Sequence, residues 1–160
     1  MSAKPGGGEA ITAEGLRALR AELEELQTTA RQEMAERIKA ARELGDLKEN
    51  AEYHIAKDDQ AHLETKILRL RQRLEAARVV DADPGSAVFG FGRTAEVVDE
   101  TSGKTSTWTI VGPTEANVAE GRLSSESPVG QALLGRAPGE RLSVETPRGT
   151  RSYRIERLLP

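Results

Sequence analysis

The sequence predicts an α+β protein: an antiparallel two-helix coiled-coil arm at residues 1–81, then a small antiparallel β-sheet domain with one short helix at 85–160. Three observations predict it. Leucines recur at steps of three and four through two long helix-forming runs. A short break at a glycine separates those runs. Beyond Asp81-Ala-Asp-Pro84-Gly85-Ser86 the apolar period changes from helical to alternating.

Taken in order, residues 4–9 (KPGGGE) read as a flexible lead-in. Thr12 supplies an N-cap, with Glu14 in the first turn. Leu16, Leu19, Leu23 and Leu26 form a heptad seam that thins to Ala30, Met34, Ile38 and Ala41 before Leu44. Only Gly15 opposes helix between 12 and 44, so the run makes a rod of about 50 Å. Gly45 ends it. A second run extends from about Leu47 to Val79, with Leu63, Ile67, Leu70, Leu74 and Ala77 on its seam. A brief connection forces the two helices antiparallel and places the tip at about 45–53. The Ala/Met seam near that tip implies thin helices.

In the second half, alternation at Thr94–Asp99, Thr105–Val111, Arg141–Thr146 and Ser152–Leu158 predicts four strands. They are separated by Ser102-Gly-Lys104, by a Gly112-Pro113 loop and by Pro147-Arg148-Gly149. One helix is expected at Pro128–Leu134, with Ser127 as N-cap, Pro128 at its first position and Gly135 past its end. Val97, Trp108, Ile110, Val144 and Ile155 are the candidate core of this domain.

Composition narrows the function. Bases number 23 and acids 26, with both halves slightly acidic, so broad nonspecific binding to nucleic acid is not expected. The chain has no cysteine, which excludes disulfides, thiol catalysis and cysteine zinc sites. No apolar run approaches the ~20 residues of a membrane span, and the start lacks a signal-like apolar region, so a cytoplasmic protein is expected.

The candidate site is the stretch LGDLKENAEY, residues 44–53. Asp46 and Glu49 stand three apart. As N-cap and third helical residue they would make a capping box for the second helix. The same spacing also puts two carboxylates on one side of a turn at the extremity of the arm. Two carboxylates are too few to hold Mg²⁺ tightly, since that ion seeks further oxygen donors. A composite site, completed by a partner, accounts for the long arm as well. Arg42 and Lys57 flank this tip on opposite helices, while the other basic residues of the arm interleave with acids as on any solvated coiled coil. His54 and His62 fit no ligand spacing and are assigned to the helix surface. Phe89-Gly-Phe-Gly-Arg93 lacks the last glycine of a dinucleotide fingerprint and reads as a strand lead-in.

The stretch AARELGDLKENAEYHIAKDDQ resembles the tip of the Gre family of bacterial transcript-cleavage and elongation factors. Residues 124–135, SSESPVGQALLG, are similar to that family's C-terminal signature. The likeness spans roughly Ile11 to Leu159. It implies an antiparallel coiled-coil arm and a C-terminal domain of FKBP-like fold that docks at the rim of the secondary channel of RNA polymerase. It further implies that Asp46 and Glu49 reach the polymerase active centre and help hold a shared second Mg²⁺ for hydrolysis of backtracked RNA. None would be bound stably by the protein alone, and the chain alone would not be a hydrolase. By the same resemblance Arg42 and Lys57 would contact the RNA 3′ segment, and Asn50 and Tyr53 would shape the tip. The protein would act as a monomer, with polymerase and nascent RNA as partners and no membrane. Two departures stand out. Thr29-Ala30-Arg31-Gln32 replaces the family's frequent Arg-Pro, and Lys57 stands where arginine is common. An FKBP-like architecture does not itself imply prolyl isomerase activity. The rival readings are a channel-occupying regulator that inhibits without cleaving, and a spacer joining two partners.

Overall fold

The computed structural model describes residues 8–47 and 49–160. Most of the expected lead-in, residues 4–7, and Lys48 at the tip lie outside the described residues. Described residues 8–15 group with 77–160 as one compact unit, and Leu16–Ala76 form a second. The described start of the chain and the end of the second helical run thus group with the β domain.

The helical unit is a hairpin. Its first strut comprises α1 (Ala13–Glu25), a π-helical turn at Leu26–Ala30, and α2 (Arg31–Arg42). Its second is the uninterrupted α3 (Ala51–Ala76). Leu19, Leu23, Ile38 and Ala41 are buried from the first strut, and Ala56, Ile67 and Leu70 from the second. Leu16, Leu26, Ala30, Met34, Leu63 and Leu74 are half-buried along the same seam. Near the tip the seam is closed by Ala41 and by Ala56, which is fully buried. Small side chains there let the helices approach closely. Leu44 lies past the end of the seam and is 65% exposed.

The π-turn has a cause in the sequence. From Leu26 through Ala30 and Met34 to Ile38 the apolar steps are all four residues. Each such step overshoots a helical turn by ~40°, so three of them would carry the stripe off the partner helix by ~120°. One extra residue in a wide turn takes up most of that rotation. Thr28 Oγ1 adds a bond to the carbonyl of Glu24 at 2.7 Å. Across the hairpin, Arg31 holds Glu64 through two bonds of 3.0 and 2.8 Å, and Arg37 meets Asp59 at 2.7 Å.

In the other unit, β1 (Ala10–Ile11) pairs in parallel with β2 (Arg78–Val79). The second helical run therefore stops at Ala76, short of Val79. Glu9, expected in the flexible lead-in, is instead anchored. Its carbonyl accepts from Arg78 N–H at 2.9 Å and its carboxylate from Thr114 Oγ1 at 2.6 Å.

The main sheet has five strands: β3 (Thr94–Asp99), β4 (Thr105–Val111), β5 (Arg122–Ser124), β6 (Arg141–Thr146) and β7 (Gly149–Leu159). Their order is β5-β4-β3-β7-β6. All neighbours are antiparallel except β4 and β5, so the sheet is mixed where a wholly antiparallel one was expected. Three residues of β5 are too few to show alternation in sequence. Gly103 and Gly149 take positive φ, 76° and 110°, at the two hairpin turns. The expected helix appears as α4 (Pro128–Leu133), with Ser127 Oγ accepting from Gly130 N–H at 3.1 Å and Gly135 at φ 80° beyond it.

Phe89, Val97, Ile110, Leu133 and Ile155 are the centre of the core, at most 1% exposed. Trp108 lies at its margin, edge-on to Tyr153 at 5.6 Å between centroids. Arg93 is the one buried charged side chain among the described residues. Its guanidinium donates to the carbonyls of Asp83 and Ser86 at 2.8 and 2.9 Å, which ties the segment after the arm to the start of β3. The Phe89–Arg93 stretch is thus a strand lead-in, as its incomplete glycine pattern implied.

Candidate functional site at the arm tip

Residues 43–50 connect α2 to α3. The last turn of α2 ends with Leu44 N–H donating to the Ala41 carbonyl at 3.2 Å, and Gly45 at φ 134° reverses the chain. Few non-glycine residues tolerate that backbone.

The second helix starts at Ala51, not near Leu47, and Asn50 is its N-cap. Asn50 Oδ1 accepts from Tyr53 N–H at 3.0 Å, and its Nδ2 donates to the carbonyl of Ala41. One side-chain amide thereby satisfies an orphan donor of α3 and adds a second donor to a carbonyl in the last turn of α2. The Asp46–Glu49 capping box is therefore corrected. Glu49 precedes the N-cap, and Asp46 lies four residues before it.

What Asp46 and Glu49 do form is a turn of their own. Glu49 N–H donates to the Asp46 carbonyl at 3.2 Å, closing residues 46–49, and both residues are exposed. Two carboxylates are fewer oxygen donors than Mg²⁺ takes, since this ion fills its shell with waters and phosphate oxygens as well. Among the described residues no group of three or more potential metal-ligating side chains comes together.

Tyr53 is half-buried in the first turn of α3, with the Arg42 guanidinium 5.8 Å above its ring centroid. This cation–π contact carries Arg42 beside the tip on an exposed side chain. Lys57 is also exposed, and its Nζ donates to Gln60 Oε1 at 2.9 Å. Tyr53 further packs edge-on against His54 at 5.6 Å. His54 and His62 are both exposed. Of the acids near the tip, Asp59 is engaged by Arg37 across the hairpin, which makes it part of the arm's scaffold.

One feature escaped sequence reasoning. Leu44 and Ile55, exposed by 65% and 54%, border a shallow cavity of about 460 Å³ with Arg37, Ala40, Ala41 and Glu52. Leu44 read as the end of the seam and Ile55 lay off it, so neither signalled an exposed apolar wall.

No helix among the described residues is long and apolar enough to cross a membrane. Residues 9–79 match the family described as Transcription elongation factor, N-terminal, and residues 84–159 match Transcription elongation factor, GreA/GreB, C-term. Transcription elongation factor GreA of Roseiflexus castenholzii (strain DSM 13941 / HLO8) is 46% identical over 156 residues, covering 97% of this chain and 98% of its own. That of Bacillus subtilis (strain 168) is 41% identical over 148 residues, 92% of this chain and 94% of its own. The solved structure of GreA factor homolog 1 from Thermus thermophilus aligns over 96% of this chain and 99% of that one, at 31% identity and a TM-score of 0.42. The chain belongs to the GreA/GreB family of transcription elongation factors.

Proposed function

We propose that this elongation factor acts on RNA polymerase by inserting its arm into the secondary channel and stimulating cleavage of backtracked RNA. The observation that carries the reading is the division of labour at the tip. Asn50 caps α3, so Asp46 and Glu49 are not required for that task and stand exposed on one turn. A pair kept at the end of a thin hairpin suits a composite site whose other half a partner supplies.

In that site Asp46 and Glu49 would provide two oxygen ligands to a Mg²⁺ shared with the polymerase. The ion, when bound, supplies an activated water and charge stabilisation for in-line displacement at the phosphodiester. Asn50 fixes the turn that carries the two acids. Arg42, steadied by Tyr53, and Lys57 would meet the phosphates of the displaced RNA 3′ segment as cations on either side of the turn. Among the described residues no third metal-ligating side chain joins this pair, and in this reading the polymerase supplies the rest of the hydrolytic site.

The test is a stalled elongation complex carrying RNA labelled at its 3′ end. Adding the protein should release short 3′ fragments and restore elongation. Binding to the complex without fragments would instead identify a channel-occupying inhibitor. Mg²⁺-dependent hydrolysis of free RNA by the pure chain would overturn the cofactor reading.

A further inference from the structure

β6 is an edge strand of the main sheet, and the bonds of its neighbour show which of its groups stay open. On β7, the Ser152 carbonyl accepts from Glu100 N–H at 2.8 Å on the β3 side. Ile155 N–H turns the other way, to the Glu140 carbonyl at 3.2 Å. Successive strand residues alternate in direction, so Arg151 and Tyr153 face β6, where they meet Val144 and Leu142. Arg141, Ser143 and Glu145 therefore aim their N–H and C=O groups off the edge, and all three residues are exposed. The opposite edge is better closed. There Asn117 and Arg122, the first residue of β5, exchange both backbone bonds at 2.8 and 2.9 Å.

An open edge is a template for another strand, and charges along it commonly guard against pairing. Here the charges are arranged to select a partner. Arg141 and Glu145 lie two residues to either side of Ser143. When two β6 strands pair antiparallel about Ser143, residue 141 of each copy falls opposite residue 145 of the other. Arginine then meets glutamate twice, serine meets serine, and the open N–H and C=O groups of all three residues find partners. Leu142 falls opposite Val144 on the buried face. A two-residue slip breaks both ion pairs, and a four-residue slip sets Arg141 against Arg141 or Glu145 against Glu145. The existing contacts permit the pairing. Arg141 Nε meets Glu100 at 3.2 Å with its side chain 74% exposed, and Glu100 also has Arg154 at 3.7 Å.

We infer that β6 is a self-association surface: two copies of this chain pair antiparallel through Arg141–Glu145 and join their five-stranded sheets edge to edge. The contact is isologous, as a two-fold dimer requires. Five paired residues a side are fewer than the roughly 20–30 of a standard interface, so the dimer is weak, absent when dilute and populated when concentrated. The inference is independent of the function proposed above.

Sedimentation of the full chain over a dilution series, from millimolar to low micromolar, should show a reversible monomer–dimer equilibrium. Arg141→Glu and Glu145→Arg each set like charges opposite one another and should weaken self-association about tenfold or more. Mixed in equal amounts, the two single variants should associate with each other, because both facing pairs are again of opposite sign. Ser143→Pro removes only an N–H that points off the edge, so it should keep the parent's circular dichroism and lose the dimer. A parent that stays monomeric at every concentration would overturn the inference. So would a dimer of undiminished strength in Ser143→Pro or in both charge variants, since another surface would then hold it. If Ser143→Pro does not fold, the mixture decides, and charge variants that fail to associate with each other refute the pairing.

Discussion

At the tip, the Asn50 side chain joins the end of α2 to the start of α3. Its cap to Tyr53 is local, but its second bond, to the Ala41 carbonyl, crosses the loop. Asn50→Ala should lower arm stability by ~1 kcal/mol, as loss of an N-cap does. Asn50→Asp keeps the cap acceptor and loses the donor to Ala41, so it should fall between. Thermal unfolding followed by circular dichroism measures both. Equal stability of Asn50→Ala and the parent would remove Asn50 from the cap. The sequence could not decide this point, because Asp and Asn cap about equally well and D-x-x-E is a genuine capping pattern. What decides it is the carbonyl of Ala41, a tertiary partner that local spacing does not register.

Among the elements, the strong heptad leucines and the four alternating strands were legible because each repeats its period several times. The π-turn was legible only in hindsight, in the run of three four-residue steps from Leu26 to Ile38. Deleting Thr29 should convert that turn to ordinary α-helix, leave the downstream seam facing its partner and preserve the melting temperature. Deleting Arg20, inside regular helix, should instead swing the seam by ~100° and destabilise the arm. Equal tolerance of both deletions would contradict this account. The ion pairs across the hairpin make a weaker, pH-dependent contribution. The hydrogen bond from Arg31, aided by its charge, holds the Glu64 carboxyl below its ordinary value. A depressed carboxylate contributes stability above its unfolded pKa and loses it as pH falls through the folded one. Acid titration of helicity should therefore show a small loss in the carboxylate range, diminished in Glu64→Gln. Both side chains are about half exposed, so salt should weaken the effect. β1, β2 and β5, two or three residues each, carry no period at all, and only pairing in the folded chain defines them.

Across the whole molecule, the β domain holds its own core from Phe89 to Ile155. A fragment from Gly85 to Pro160 should fold, compete with the intact protein for polymerase, and promote no cleavage. Because it lacks the Glu9–Thr12 segment and β2, it should melt below the same unit in the full chain. An isolated arm that competed equally well would overturn the assignment of docking to the β domain. The central claim is that the tip carboxylates serve chemistry in a partner's site, and cleavage rate against Mg²⁺ on a defined backtracked complex tests it most directly. With Asn50 as the cap, Asp46→Asn and Glu49→Gln should leave folding and polymerase binding nearly unchanged. The account predicts a loss of about a thousandfold in cleavage for the double variant, equivalent to ~4 kcal/mol of transition-state stabilisation, with partial rescue of the single variants by raised Mg²⁺. Cleavage by the double variant within a factor of about three of the parent, far less than a lost metal ligand costs, would contradict it.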